Sequence, residues 1–184
     1  MYQDILPLSL EGDWHREPAK HITNNLSGWL FEPGSLTQKL KLNSASFRVK
    51  ILAKHQRELS EGELTLFGCQ QQAVQVREVL LYCNEEPWVY AQTLMPLANV
   101  PKSVVKLTTL GEKPLGEVIF NEPGMTRSLI EVAEFDLQSP VAMLAAEVDK
   151  PPSHSLWARR SCFTVDGYSL LVAEVYLPCA VAYR

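Results

Sequence analysis

A carboxylate and a guanidinium occur inside two apolar segments near the end of the chain. Arg159 lies in segment 156–165 and Glu174 lies in segment 168–178, and both segments are rich in aliphatic and aromatic residues. A charge that leaves water without a partner is expensive, so such groups are normally paired inside proteins. Glu174 therefore needs an internal cation or a ligand.

The dipeptide Asp166-Gly167 between these segments predicts a β-hairpin, because Asp-Gly favours the tight turns that join antiparallel strands. Counting back from a two-residue loop with a period of two places Arg159 opposite Glu174 on one face. The pairs nearer the turn are Ser161 with Val172, Phe163 with Leu170 and Val165 with Tyr168. Two interpretations stay open, a cross-strand ion pair and part of a ligand site. A β-bulge would shift the register and break the pairing.

Arg77 is a second cation in an apolar setting. It lies in the predicted strand 73–82, with Val79 and Leu81 on its own face. Its planar guanidinium can hold a carboxylate through two hydrogen bonds, which a lysine cannot do. The alternatives are an ion pair with a carboxylate of the protein, or a side chain that reaches the rim of an exposed sheet face. Glu78 points to the opposite face, where we expect it to be solvated.

Other residue patterns exclude several kinds of chemistry. The four histidines lie in predicted loops or edges, with no serine or cysteine in a nucleophile setting, so no hydrolase triad is predicted. No glycine-rich phosphate loop is present. The four cysteines are separated by 14, 79 and 17 positions and form no C-x-x-C pair, so we expect reduced structural thiols and no metal site. They are Cys69, Cys83, Cys162 and Cys179.

Length and charge limit the class of protein. A chain of 184 residues fits one domain that can bury a core without disulfides or metal. A net charge of −4 argues against general nucleic-acid binding, so an anionic ligand would have to be held by local arginines. No segment has the character of a secretory signal or the length of a membrane span. We expect a cytoplasmic monomer without stable membrane insertion.

The order of predicted elements favours an α+β fold. Short helices at 26–31 and 35–40 precede a strand at 44–52, a charged loop at 55–63 and a long hairpin at 73–94. A helix at 103–110, an undecided segment at 125–134 and a short helix within 138–154 lead to the final hairpin. This order predicts one antiparallel sheet with helices packed on one face. We divide the chain into an N-terminal extension, 1–20, which we expect to be mobile, and a domain, 21–184.

Several of these segments together resemble the chorismate pyruvate-lyase family in order and spacing. They are 77–81 (REVLL), 86–88 (EPW), 110–116 (LGEKPLG), 156–161 (LWARRS) and 174–178 (EVYLP). The resemblance covers the chain from about residue 25 onward. It implies an enzyme of ubiquinone biosynthesis that converts chorismate to 4-hydroxybenzoate and pyruvate without metal or organic cofactor. It also implies a single α+β domain with a small internal site covered by flaps.

The resemblance assigns roles to individual residues. Arg77 matches the arginine that holds the ring carboxylate, and Glu174 matches the glutamate that contacts the ring hydroxyl. Leu115 matches a leucine that touches the ligand through its backbone. Leu36 stands where the family has a methionine that closes over the ring, so an apolar lid remains but a flexible thioether is replaced by a branched side chain. The segments 56–72 and 134–154 look longer or more divergent than the family pattern.

The chemistry of the residues is compatible with this assignment. Chorismate carries two carboxylates, and Arg77 and Arg159 are available on apolar strands to bind them. The elimination needs positioning and charge stabilisation more than covalent catalysis. The proton acceptor is either Glu174 or the enolpyruvyl group of the substrate. The alternative function is a non-enzymatic sensor, because the same fold resembles effector-binding domains of bacterial transcription regulators.

Overall fold

The strands of the described residues form a single antiparallel sheet. A computed structural model describes residues 6–68 and 72–184. Within them the sheet order is β1-β2-β3-β7-β6, and both β4 and β5 pair with the outer edge of β6. The strands are β1 Phe47–Glu58, β2 Ala73–Cys83, β3 Glu86–Pro96, β4 Thr126–Arg127, β5 Glu131–Phe135, β6 Leu156–Val165 and β7 Tyr168–Tyr176. The predicted α+β class with an antiparallel sheet is confirmed.

The helices are short, and side-chain caps fix where several of them begin. They are α1 Asn24–Leu30, α2 Leu36–Leu42, α3 Glu61–Phe67, α4 Val105–Thr108, α5 Leu115–Ile119 and α6 Pro140–Val148, followed by a 3₁₀ turn at Val181–Tyr183. The side chains of Thr23, Ser35, Ser60 and Ser139 accept hydrogen bonds from backbone amides in the first turns of α1, α2, α3 and α6. These bonds satisfy donors that a helix start leaves free. The predicted start of α2 after Ser35 is confirmed.

The final hairpin has the predicted register. Asp166 and Gly167 both have positive φ, 49° and 75°, as a type I′ turn requires. Because the loop contains only these two residues, Arg159 of β6 stands opposite Glu174 of β7. The other three predicted pairs of this hairpin are also present.

Helices cover both faces of the sheet. Buried residues of α1, α2, α4 and α5 pack on the face that carries Arg77. The prediction placed all helices on one face, but α6 packs on the opposite face, against Leu80 and Tyr90. Leu8 from the N-terminal segment packs there too and is 1% exposed. The division after residue 20 stays a prediction.

Two predicted segments differ from the structure, and the structure decides a third that the sequence left open. The loop at 55–63 is instead the end of β1, which continues to Glu58, and the start of α3. A register shift between Ile51 and Ala53 interrupts the alternation that marked the strand. The undecided segment at 125–134 contains β4 and all but the last residue of β5, and the helix at 103–110 is reduced to α4. Of the four thiols, Cys69 lies outside the described residues, and the other three are free.

Candidate active site

A small cavity lies between the sheet and the helices α2 and α5. Its volume is about 40 Å³. Its polar and charged lining residues are Thr37, Arg77, Thr93, Arg127, Arg159 and Glu174. The rest of its lining is apolar or glycine: Leu36, Val49, Val79, Leu81, Ala91, Pro114, Leu115, Gly116, Ile119, Phe120, Phe163 and Val172. The five residues named from the sequence, Leu36, Arg77, Leu115, Arg159 and Glu174, therefore surround one space, although their roles toward a ligand stay predictions.

Arg77 is a buried cation with no carboxylate partner among the described residues. It is 3% exposed, and its Nη2 donates to the carbonyl oxygens of Gly111 at 2.9 Å and Lys113 at 3.1 Å. Its Nε is buried without an acceptor in that part of the chain. Burial lowers the pKa of Arg77 to about 10, so the guanidinium stays protonated at neutral pH. Neither alternative weighed from the sequence, an internal ion pair or an exposed rim position, describes this side chain.

Arg159 and Glu174 form the cross-strand ion pair that the register allows. The Nε of Arg159 lies 2.6 Å from Oε2 of Glu174. The Nη1 of Arg159 also donates to the carbonyl oxygens at the end of α1, at 3.3 Å from Trp29 and 3.0 Å from Glu32. Burial disfavours the charge of Arg159, but the combined attraction of Glu174, Tyr176 and Glu32 outweighs it and raises the pKa of the arginine. Protein groups thus accept hydrogen bonds from Nε and Nη1 of Arg159. Oε1 of Glu174, in contrast, accepts no hydrogen bond from a described residue.

Sequence reasoning missed a third cation of the cavity, Arg127. Its Nε donates to Oγ of Ser161 at 3.0 Å, and its Nη1 donates to the carbonyl oxygens of Glu32 and Pro33 at 3.2 Å each. Burial and the nearby charge of Arg159 lower the pKa of Arg127 to about 10. The residue lies in the two-residue strand β4, which is too short to produce a periodic pattern. The available signal was an arginine three positions after the predicted turn at 122–124.

The charged groups of the cavity do not balance. Three guanidinium groups face one carboxylate, which leaves two net positive charges among the lining residues. A buried positive charge without a partner is costly, and most of the surrounding lining is apolar. The arrangement therefore favours an organic ligand with two negative charges and an apolar body.

Helices α2 and α5 meet over the cavity. Leu36 at the start of α2 and Leu115 at the start of α5 both line it, and they are 2% and 9% exposed. The contact is close at Gly116, where an added Cβ would lie 2.8 Å from Oγ of Ser35 and 2.9 Å from Oγ1 of Thr37. A salt bridge between the side chains of Lys41 and Glu117 joins the same two helices. We call these two covering helices the lid, with Leu36 as part of it, and that the lid opens for a ligand stays a prediction.

Glu78 is buried, although the sequence predicted that it would be solvated. It points away from the cavity, as its position in the strand requires, but it is 0% exposed rather than solvated. Its Oε1 accepts hydrogen bonds from the backbone N–H of Leu8 at 2.8 Å and from the hydroxyl of Tyr90 at 2.6 Å. The N-terminal segment therefore covers this carboxylate, and Glu78 takes no part in the cavity.

Two features are absent from the described residues. No group of three or more His, Cys, Asp or Glu side chains in 6–68 and 72–184 is arranged to hold a metal ion. In the same part of the chain, no helix has the length and apolar character needed to cross a membrane.

Comparison with known proteins gives the family. A family model described as chorismate lyase matches residues 12–183. A probable chorismate pyruvate-lyase of Pseudoalteromonas translucida is 45% identical over 181 residues, covering 96% of this chain and 98% of the relative. A protein with the same name from Psychromonas ingrahamii is 38% identical over 180 residues, covering 97% of each chain.

Solved structures share the fold at low sequence identity. The effector domain of PhnF from Mycobacterium smegmatis has a TM-score of 0.57 and 16% identity, with 78% of this chain and 88% of that chain covered. The ligand-binding domain of a putative GntR-family transcriptional regulator from Bordetella bronchiseptica has a TM-score of 0.54 and 15% identity, with coverages of 77% and 90%. At these identities the likeness shows the fold alone.

Proposed function

The chain belongs to the chorismate lyase family, and from that premise we propose that it converts chorismate to 4-hydroxybenzoate and pyruvate. The observation that carries the proposal is the buried Arg77, which lines the cavity without a carboxylate partner among the described residues. Chorismate is a dianion, and the lining residues of the cavity carry two net positive charges. The apolar part of the lining suits the six-membered ring of the substrate.

Arg77 would hold the ring carboxylate. Its two hydrogen bonds to the carbonyl oxygens of Gly111 and Lys113 fix the orientation of the guanidinium before a ligand arrives. Nε is buried without an acceptor among the described residues and remains available to donate to a carboxylate. A charge-assisted pair that forms away from water is stronger than the same pair at the surface. The binding of the carboxylate also gives the buried cation the partner that it lacks.

Glu174 would bind the ring hydroxyl. Its Oε2 is engaged by Arg159 at 2.6 Å, which holds the carboxylate in place, and Oε1 is left to accept a hydrogen bond from the substrate. Arg77 and Glu174 stand on β2 and β7, with β3 between them. The ligand would therefore span β3, with its carboxylate toward β2 and its hydroxyl toward β7.

The reaction itself needs little covalent chemistry. The ether bond between the ring and the enolpyruvyl oxygen breaks, and the adjacent ring carbon that bears the hydroxyl loses its hydrogen, so the ring becomes aromatic. If the methylene carbon of the enolpyruvyl group takes the proton, pyruvate forms directly. If Glu174 takes it, the enolate of pyruvate leaves, Glu174 returns the proton to it, and the resulting enol tautomerises to pyruvate. In both cases the protein contributes positioning and fixed positive charge in a closed site.

The experiment is to measure pyruvate release from chorismate by the purified protein and by Arg77→Ala. We expect activity in the wild type and a loss of at least about 30-fold in kcat/KM in the variant, because removing one partner of a buried charge pair costs on the order of 2–5 kcal/mol. Arg48→Ala is the matched control, since Arg48 lies on the same sheet but pairs with Glu85 at the surface. Full turnover by a folded Arg77→Ala protein would refute the assigned role.

The same assay tests the second candidate, a small-molecule sensor without activity. The likeness to effector domains of transcription regulators supports the fold of such a protein. Binding of chorismate without release of pyruvate would favour the sensor over the enzyme. Its affinity could then be measured by calorimetry.

We also propose that the reaction supplies 4-hydroxybenzoate to ubiquinone biosynthesis, as the family resemblance implies. We propose that the enzyme acts in the cytoplasm as a monomer, without a metal or organic cofactor. Expression in a bacterial host that lacks its own chorismate lyase should restore ubiquinone. Size-exclusion chromatography with light scattering would test the monomer.

A further inference from the structure

Arg127 is placed for a ligand group that Arg77 cannot reach. Along the sheet, Arg77 pairs with Thr93 of β3, Thr93 with Val172 of β7, and Val172 with Ser161 of β6. Arg127 stands on the next strand, β4, and donates to Oγ of Ser161. Arg77 begins this row, and Arg127 stands beyond its far end, two residues along the strand from it, because its partner on β6 is Phe163 rather than Ser161. Four strand spacings separate their backbones, about 19 Å along the sheet, and both long side chains line the same cavity.

The protein leaves Arg127 with spare capacity for an anion. Its Nε and Nη1 are engaged by neutral oxygens, and in the described part of the chain Nη2 has no acceptor. No carboxylate in that part lies within salt-bridge distance of it, and the carboxylate of Glu32 is paired with Lys39 at 2.9 Å. Arg159 differs, because it already has a carboxylate partner. Arg77 and Arg127 are therefore the two cations of the cavity that lack an anionic partner among the described residues.

We propose that Arg127 binds the second carboxylate of the substrate, the one on the enolpyruvyl side chain. This inference rests on the proposed function. The ring carboxylate and the enolpyruvyl group lie at different positions of the ring, so a ring placed over the row can direct one carboxylate to each arginine. The product 4-hydroxybenzoate has only the ring carboxylate. Arg127 therefore distinguishes substrate from product, whereas Arg77 binds both.

The role of Arg127 also explains how the ligand loses one of its two contacts with an arginine during the reaction. When the ether bond breaks, the carboxylate held by Arg127 leaves with pyruvate, and the aromatic product keeps only its contact with Arg77. Negative charge that develops on the departing oxygen lies next to that carboxylate, within the field of Arg127. The arginine contacts a reacting part of the substrate and makes no contact with the retained ring substituents.

The experiment compares Arg127→Gln with Arg77→Gln in two measurements. For Arg127→Gln we expect kcat/KM for chorismate to fall on the order of 100-fold, because a charged hydrogen-bonded partner is lost, while the Kd of 4-hydroxybenzoate changes less than about threefold. For Arg77→Gln we expect kcat/KM for chorismate to fall and the Kd of 4-hydroxybenzoate to rise. Arg160→Gln is the matched control, since Arg160 stands next to Arg159 but pairs with Glu131 outside the cavity.

Two unreactive ligands, one with and one without a second carboxylate, distinguish a binding role of Arg127 from a purely structural one. Arg127 also holds the carbonyls of Glu32 and Pro33, so its loss could disturb the loop between α1 and α2. The wild type should bind 3-(carboxymethoxy)benzoate at least tenfold more tightly than 3-methoxybenzoate, and Arg127→Gln should abolish that preference. A preserved preference, or equal losses for substrate and product, would overturn the inference. Pyruvate release by the wild type tests the enzyme separately.

Discussion

Replacing Gly116 by alanine should loosen the lid over the cavity. The added Cβ would lie 2.8 Å from Oγ of Ser35 and 2.9 Å from Oγ1 of Thr37, closer than carbon and oxygen atoms approach without bonding. Ser35 cannot move freely, because its side chain caps α2 through the amide of Gln38. The contact exists only when α2 and α5 are together, so the substitution penalises the closed lid and leaves an open lid unchanged.

The size of the effect follows from the overlap. Extra atoms in a well-packed contact typically cost about 1–3 kcal/mol, which corresponds to a factor of about 5 to 150 in an equilibrium constant. The cavity of about 40 Å³ is too small for an aromatic ring, since a cavity of about 150 Å³ accommodates benzene. Ligand entry and exit therefore require the lid to move, and a penalty on closure should weaken 4-hydroxybenzoate binding and speed its release.

The assay combines stopped-flow single turnover with steady-state rates and product inhibition. We expect the wild type to release product more slowly than it forms it, and Gly116→Ala to raise both the dissociation rate and the inhibition constant of 4-hydroxybenzoate by about 5-fold to 150-fold. Gly28→Ala is the matched control, because a Cβ at that position of α1 has nothing within 4 Å. Unchanged product affinity in Gly116→Ala, or wild-type chemistry no faster than overall turnover, would refute the reasoning.

Four further predictions concern single groups. Leu36→Ala should speed product release while changing the single-turnover rate less, because it trims the apolar underside of the lid, and a slower chemical step with unchanged release would contradict this. Arg77→Leu should abolish turnover yet raise the free energy of unfolding of the unliganded protein by about 1 kcal/mol in urea titrations, since it removes an unpaired buried cation. Glu174→Ala should lower that free energy by about 3 kcal/mol because Arg159 loses its partner; an equal effect of the two changes would argue against the assigned difference. Activity should survive EDTA and replacement of the cysteines by serine, and loss on chelation that one divalent ion restores would refute the cofactor-free proposal.

Local patterns predicted the hairpin that carries Glu174 because a short turn fixes its register. Once Asp166 and Gly167 occupy the two loop positions, the pairing of Arg159 with Glu174 follows by counting. The face of Arg77 followed in the same way from the alternation of its strand. The resemblance to a family added Leu36 and Leu115, which no periodicity in the sequence would have singled out.

The remaining features depend on contacts between distant segments. Arg127 belongs to a strand of two residues that exists only because β6 offers an edge to pair with. The alternation of the strand predicted the correct face for Glu78 but did not predict that it is buried. Its burial depends on the segment around Leu8, whose backbone N–H donates a hydrogen bond to that carboxylate. The last part of β1 was missed because an irregularity near residue 52 breaks the alternation and because its edge position tolerates charged side chains.

The pairing of β3 with β7 has a consequence for how the protein acquires its site during folding. These strands pair residues 89–94 with residues 171–176, so the two halves of the cavity come from parts of the chain about eighty positions apart. Each hairpin can form locally, but Arg77 and Glu174 share a cavity only after this distant pairing, which carries a large loop-closure cost and is slow to form. Aromatic carboxylates should therefore bind only fully folded chains. Added during refolding, 4-hydroxybenzoate would report the last step of assembly and stabilise the finished protein by mass action.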